Sequence, residues 1–263
     1  LLEYVKFANP HCKLFYTVHN EPDFVWGDSK KEEKIASWLC KKKNMKFITL
    51  SDEMRRKINK RFQITDSIIL NNGIPFSKFE DKINIDEYRK QIGIPKDAFV
   101  IGNIARFRAE KNHEFLVDIL LNVLKKKTNA FLLLIGNGEL KTRIEDKLKG
   151  HENNYLILSN RTDIPQLFQC MDCFVLCSKV EGLGIVLIEA QKSKVKCLAP
   201  KKVVPEETKL SNLISYLDLS DGIEKWANSI LEEQPTAIEY FGIEEWDMKN
   251  VIKRLEKIYL AEY

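Results

Sequence analysis

Two carboxylates, Glu181 and Glu189, stand eight positions apart in the run SKVEGLGIVLIEA (178–190), with Gly182 and Gly184 between them. Glycines let backbone amides approach a ligand closely. A helix starting near Ile185 would also turn its N-terminal N–H groups and positive dipole end toward an anion. A phosphate suits such a place. Carboxylates accept paired hydrogen bonds from vicinal hydroxyls, so a ribose and a sugar ring are sensible neighbours for the two acids. The competing reading gives Glu181 a capping role and Glu189 a buried salt bridge, because an unpaired glutamate among apolar residues is costly.

Two further loops carry chemistry. In GNIARFRAEKN (102–112), Arg106 offers a planar fork and Lys111 a mobile point charge, a combination suited to clamping a diphosphate; the alternative is plain surface solvation. The loop Gly136-Asn137-Gly138 opens like a dinucleotide fingerprint, but Lys141 stands where the third glycine belongs and no acidic ribose partner follows at the usual distance. A tight turn is the simpler reading there. Cys170, Cys173 and Cys177 approach metal-ligand spacing, yet no second pair completes a zinc set, so the six cysteines read as structural and reduced.

The elements that must hold these loops alternate in type. Short apolar runs (KLFYTVHN, KFITLS, SIILNNG) interleave with amphipathic ones (KKEEKIASWLCKKKN, DEMRRKINKRF), the pattern of buried parallel strands joined by crossover helices. After Asn72-Gly73-Ile74-Pro75 the polar stretch FSKFEDKINIDEYRKQIGIPKDA reads as a join, and a second series follows from FVIGNIARF to KCLAP. The tail, IEEWDMKNVIKRLEKIYLAEY, has helical spacing of apolar residues. This predicts an α/β protein with two Rossmann-like domains in series: 1–85, an N-terminal domain with its linker; 86–245, the second domain; and 246–263, a C-terminal helix. The first part has room for about three strands where a doubly wound domain has about six, so it is expected to be incomplete.

With 263 residues, 44% hydrophobic and 30% charged, the chain can bury a real core and reads as globular. Its net charge of +4 is spread over short runs such as Lys41-Lys42-Lys43 and Lys125-Lys126-Lys127, which suit a solvated helix face better than the basic stripe of a nucleic-acid module. No apolar run reaches eighteen residues and the start lacks a signal-peptide pattern, so the expected location is cytoplasmic, with a peripheral site at the inner membrane face left open.

Arg106 with Lys111, Asp163-Ile164-Pro165, and the E-x7-E pair Glu181 and Glu189 followed by Ala190 together resemble family 4 of the retaining GT-B glycosyltransferases, the glycosyl transferases group 1. YTVHN is similar to that family's strand and loop bearing an active-site histidine, ILNNGIPFSKF to its interdomain crossing, and the tail to its returning helix. Val204-Pro205-Glu206-Glu207 looks most like enzymes of bacterial capsule or exopolysaccharide assembly.

The resemblance implies a hexosyltransferase that takes a nucleotide-sugar donor, UDP-sugar favoured, and a glycan or lipid-linked acceptor, with no cofactor, no divalent metal and no nucleic-acid partner. Arg106 and Lys111 would neutralise the diphosphate. Glu189 would hold the ribose, Glu181 the donor sugar, and Ile164 the base through its main chain. Asn137 and the Gly182-Leu183-Gly184-Ile185 backbone would also line the donor, and His19 would face the transferred sugar from the other domain. The chain departs from the family pattern in four places. It lacks the family's glycine-rich loop near the start, Gln191-Lys192-Ser193-Lys194 replaces a small-residue turn, Lys201-Lys202 replaces a common glycine pair, and His19 is followed by Asn20 rather than a smaller residue. Beside the transferase reading stand a phosphorylase or epimerase of the same plan and an inactive carbohydrate- or partner-binding module.

Overall fold

The computed structural model describes residues 12–19, 22–27 and 29–260. The chain divides into two compact units, 1–74 with 244–263, and 75–243.

In the first unit, β1 (Phe15–Val18), α1 (Pro22–Trp26), α2 (Lys30–Lys43), β2 (Lys46–Thr49), α3 (Asp52–Phe62) and β3 (Ile68–Ile69) follow one another. The three strands form a parallel sheet in the order β1-β2-β3. Successive side chains of a strand point to opposite faces. Phe47 accordingly packs with Trp26 and Phe62 on one side, while its neighbour Ile48 packs with Val251 and Ile258 on the other. Helix α3 starts where it does because the Ser51 hydroxyl accepts from the Met54 N–H at 3.2 Å, satisfying one of the open donors of its first turn.

The second unit begins earlier than residue 85. Phe79 and Ile83 pack against its core, and the segment read as a join contains α4 (Ile85–Ile92). Asn84 caps that helix by accepting from the Glu87 N–H, and Gly93 closes it at φ 89°, a backbone setting that favours glycine. Then come β4 (Phe99–Ile104), α5 (His113–Leu124), β5 (Ala130–Ile135), α6 (Lys141–Lys147), β6 (Tyr155–Leu158), α7 (Ile164–Gln169), β7 (Cys173–Val175), α8 (Ile185–Lys192) and β8 (Lys196–Pro200). Beyond KCLAP, where the sequence reading ended the series, the structure adds β9 (Ile214–Leu217) and α9 (Ile223–Leu231). The final helix, α10 (Met248–Leu260), belongs to the first unit.

The six strands of the second unit are parallel in the order β6-β5-β4-β7-β8-β9. Ala130, Leu132 and Leu134 of β5 enter one core cluster, and Phe131, Leu133 and Ile135 enter the other. Burial on both faces explains why the sequence shows an unbroken apolar run there. The strand order reverses between β4 and β7, which pair only through Ile101 with Cys173 and Gly102 with Phe174. Past that point the Asn103 side chain donates to the Val175 carbonyl at 2.8 Å where a ladder bond would otherwise be. A crevice at the carboxyl ends of the strands is expected at such a reversal.

The cysteines carry no disulfide; Cys170, Cys173, Cys177 and Cys197 are buried. Among the described residues no group of three His, Cys, Asp or Glu is placed to hold a metal ion, and no helix is long and apolar enough to cross a membrane.

Candidate functional site

The loops after β4, β5 and β6 open onto a cleft of about 770 Å³ lined in part by Arg106, Arg108, Asn137, Glu139, Arg161 and Ile164. Its floor depends on two glycines. A Cβ on Gly136 would stand 1.9 Å from the Ala105 carbonyl oxygen, and one on Gly138 would stand 2.5 Å from that of Phe107. No side chain fits there. The loops are joined instead by backbone bonds: Ala105 N–H donates to Ile135 O (3.0 Å), and Phe107 N–H to Asn137 O (2.9 Å). The G-x-G pattern therefore serves close approach of two backbones, and this rigid floor presents the Arg106 and Asn137 side chains to the cleft.

The Arg106 side chain is exposed and makes no ion pair or hydrogen bond among the described residues. Lys111 does the opposite. Its Nζ lies 2.6 Å from Glu181 Oε1, and the Ser178 hydroxyl donates to the same oxygen at 2.6 Å. Glu181 comes from the loop after β7 and Lys111 from the loop after β4, so the pair spans the reversal of strand order. The Lys179 N–H, donating to the Glu110 carbonyl at 2.7 Å, ties the same two loops by their backbones.

Both competing readings of the acids are overturned. Gly184, not Glu181, precedes the first turn of α8, at φ 70° and ψ 42°, and no side chain caps that turn. A Cβ on Gly184 would also press to 3.2 Å from Val204, whereas Gly182 has open space and an ordinary φ. The Glu189 side chain has no ion-pair or hydrogen-bond partner among the described residues, and burial pushes its carboxyl up to about 7. The ion pair, partly buried, belongs to Glu181. Lys111, Glu181, Glu189 and the Gly182–Ile185 backbone lie outside the lining of the 770 Å³ cleft, which gathers Arg106, Asn137 and Ile164. His19 is exposed just after β1 in the first unit, and Asn20 lies outside the described residues.

The departures at 191 and 202 have structural explanations. Gln191 is fully buried and uses both ends of its amide: Nε2 donates to Leu187 O and Thr208 O, and Oε1 accepts from the Leu210 N–H and the Ser211 hydroxyl. It pins the 204–211 segment to α8. Lys202 holds a left-handed turn at φ 63°, the setting in which a glycine is common.

Arg161, which the sequence reading passed over, also lines the cleft. Its Nε donates to Asp163 Oδ1 at 2.8 Å, its Nη2 reaches Asp163 Oδ2 and the Tyr88 hydroxyl, and Tyr88 in turn donates to Asp163. These contacts hold the Asp163 carboxyl below its usual range, chiefly through Arg161, while burial and Asp163 push the Tyr88 phenol up to about 12. The Arg-x-Asp spacing at 161–163 was the available signal; its tie to Tyr88 was not.

Residues 84–213 match the family of glycosyl transferases group 1. This segment belongs to that family. The glycosyltransferase segment includes Arg106, Lys111, Glu181 and Glu189, and lies within the second unit. Among curated proteins, the chain is 32% identical over 165 residues to EpsF of Bacillus subtilis (strain 168), a glycosyltransferase by name, covering 62% of this chain and 43% of that protein. It is 24% identical over 206 residues to a UDP-Gal:alpha-D-GlcNAc-diphosphoundecaprenol alpha-1,3-galactosyltransferase of Escherichia coli, covering 73% and 52%. Capsular polysaccharide biosynthesis glycosyltransferase CapM of Staphylococcus aureus is 33% identical over 174 residues, covering 62% and 44%. The chain thus spans about half the length of the curated relatives it matches. Among solved structures, Anabaena HepE in complex with UDP superposes with a TM-score of 0.79 at 18% identity, covering 99% of this chain and 75% of that one. The likeness establishes the GT-B fold for both α/β units.

Proposed function

We propose that this chain carries the donor site of a retaining, UDP-sugar-dependent hexosyltransferase that extends a glycan or lipid-linked acceptor in bacterial surface polysaccharide synthesis. The observation that carries the reading is that the one segment after β4, at the reversal of strand order, supplies both Arg106, whose side chain is unpaired among the described residues, and Lys111, which pairs with Glu181. A leaving diphosphate gains charge as the glycosidic bond breaks, and cations fixed in advance beside a helix N-terminus stabilise that charge without reorganising. Arg106, Lys111 and the uncapped first turn of α8 would fill that role with no divalent metal.

In this reading Asn137 and the Ile164 main chain border the nucleoside, and Glu189 accepts the ribose hydroxyls. Glu181 accepts from the sugar. The Glu189 carboxylate, unpartnered among the described residues, favours this assignment, since hydroxyl donors would satisfy it. The acceptor would attack from the leaving group's side, giving retention. The names of relatives point the same way: HepE structures are described in complex with UDP and with UDP-glucose, and the Escherichia coli relative is named for a UDP-Gal donor and a diphosphoundecaprenol-linked acceptor. A lipid-linked acceptor would bring the protein to the inner face of the membrane from the cytoplasm.

Incubating the protein with UDP-glucose or UDP-galactose and an undecaprenyl-diphosphate-linked sugar, and reading the product's anomeric proton coupling, tests the proposal. An α-linked product from the α-donor is expected. A β-linked product would contradict retention, and absence of transfer by a chain that binds UDP would limit the role to binding.

A further inference from the structure

A second pocket, of about 210 Å³, lies against the same 108–113 segment at the start of α5. It is smaller than the ~300–1,000 Å³ of sites that enclose whole drug-sized ligands. Its charges are mostly positive. The side chains of Arg108 and Lys179 are exposed and have no partner among the described residues, while Arg143 is engaged by Glu114, the only acid in the lining, at 3.2 Å. Helix α5 is 12 residues long, and its cap residue Asn112, at φ 57°, gives the first turn no side-chain acceptor. The dipole end and open amides of such a turn favour an anion.

The independent observation is His113. It lines this pocket, is 3% exposed, and neither ring nitrogen has a hydrogen-bond partner among the described residues. Buried polar atoms are normally paired, and an unpaired one costs free energy that a ligand can recover. Burial first, and the charge of Lys111 second, hold His113 down to about 4, so it is neutral at ordinary pH and offers one N–H and one lone pair. The ring also packs edge-on against Phe107 at 4.8 Å, which fixes its orientation.

We propose that this pocket is a second anion site, beside the donor cleft and sharing Arg108 with its lining, that takes a single phosphate group through Arg108, Lys179, the first turn of α5 and His113. A hydrogen phosphate suits the imidazole because its P–OH donates and its other oxygens accept. Free orthophosphate and a small phosphate monoester share this chemistry, and neither requires the glycosyltransferase reading to be correct.

The test titrates orthophosphate, and separately glycerol 3-phosphate, into the full chain with labelled histidines, following the His113 ring signals with and without saturating UDP. His113→Asn identifies those signals. The proposal predicts a saturable shift that persists with UDP bound, is stronger for whichever ligand is the true occupant, and is weakened about tenfold by Lys179→Ala, an exposed position that folding does not need. It is overturned by the absence of a saturable shift, by an equal shift with chloride at matched ionic strength, or by loss of the shift when UDP binds. Should UDP itself fail to bind, the donor reading fails, and the phosphate titration alone still decides this one.

Discussion

Lys111 and Glu181, seventy residues apart in sequence, face each other across the reversal of strand order with Nζ 2.6 Å from Oε1. Family resemblance gives them separate ligands, phosphate and sugar. The structure shows them holding each other, with the Ser178 hydroxyl on the same carboxylate oxygen. Two partly buried, paired charges keep each other in place, and removing one leaves the other uncompensated.

That relationship predicts opposite effects on nucleotide and on transfer. Glu181→Gln releases Lys111 toward the diphosphate, so UDP should bind as well as or better than to wild type, while transfer falls by roughly 10²-fold through loss of a sugar contact. Lys111→Ala should weaken both. Calorimetry with UDP beside a transfer assay reads the two quantities separately.

Arg106 is exposed and unpaired, so its removal should cost binding without stability. Arg106→Ala is expected to weaken UDP by about ten- to a hundredfold, the range of a lost charge-assisted contact, while the melting temperature stays within about 1–2 °C of wild type. A large thermal shift would mean that Arg106 supports the fold instead.

Glu189 links pH to both stability and binding. Its carboxyl is pushed from an ordinary 4.5 up to about 7 by burial. Between those values the unfolded chain has already lost the proton that the folded chain still holds. The contribution is therefore complete below about pH 4.5 and is lost as pH rises through about 7. Glu189→Gln should accordingly melt above wild type near pH 8 and close to it near pH 4, by scanning calorimetry. Ribose hydroxyls favour the ionised form, so UDP affinity should rise through about pH 7 in wild type; the Gln variant should keep only the dependence due to the ligand's own phosphate.

Gly138→Ala would place a methyl 2.5 Å from the Phe107 carbonyl oxygen at φ 158°. Because backbone lines that space, the loops must separate. A loss of about 2–3 kcal/mol is expected by denaturant unfolding, together with weakened UDP binding at temperatures where the variant remains folded.

Much of the second unit could be read from sequence because buried parallel strands such as AFLLLI declare themselves as unbroken apolar runs. Helix α4 escaped for a specific reason: Asn72-Gly73 and Pro75 drew the reading toward a linker, although Asn84 and Gly93 bracket Ile85, Tyr88 and Ile92 at helical spacing. Strand β9 is short, and in ISYL only the two end residues are buried. In the site, individual residues stood out by charge and by neighbouring glycines, but partnership did not. Nothing in the spacing said that Glu181, rather than Glu189, holds the ion pair, or that Tyr88 steadies Arg161 through Asp163. Such contacts depend on how strands are ordered, and that order appears only once the chain is folded.

The most direct test of the central claim is calorimetric titration of the protein with UDP, GDP and ADP, without added metal, in parallel with Arg106→Ala and Glu189→Ala. A nucleoside-diphosphate site at the strand reversal predicts saturable binding with UDP preferred, weakened at least about tenfold in each variant. Binding of none of the three, or binding that both substitutions leave unchanged, would contradict it.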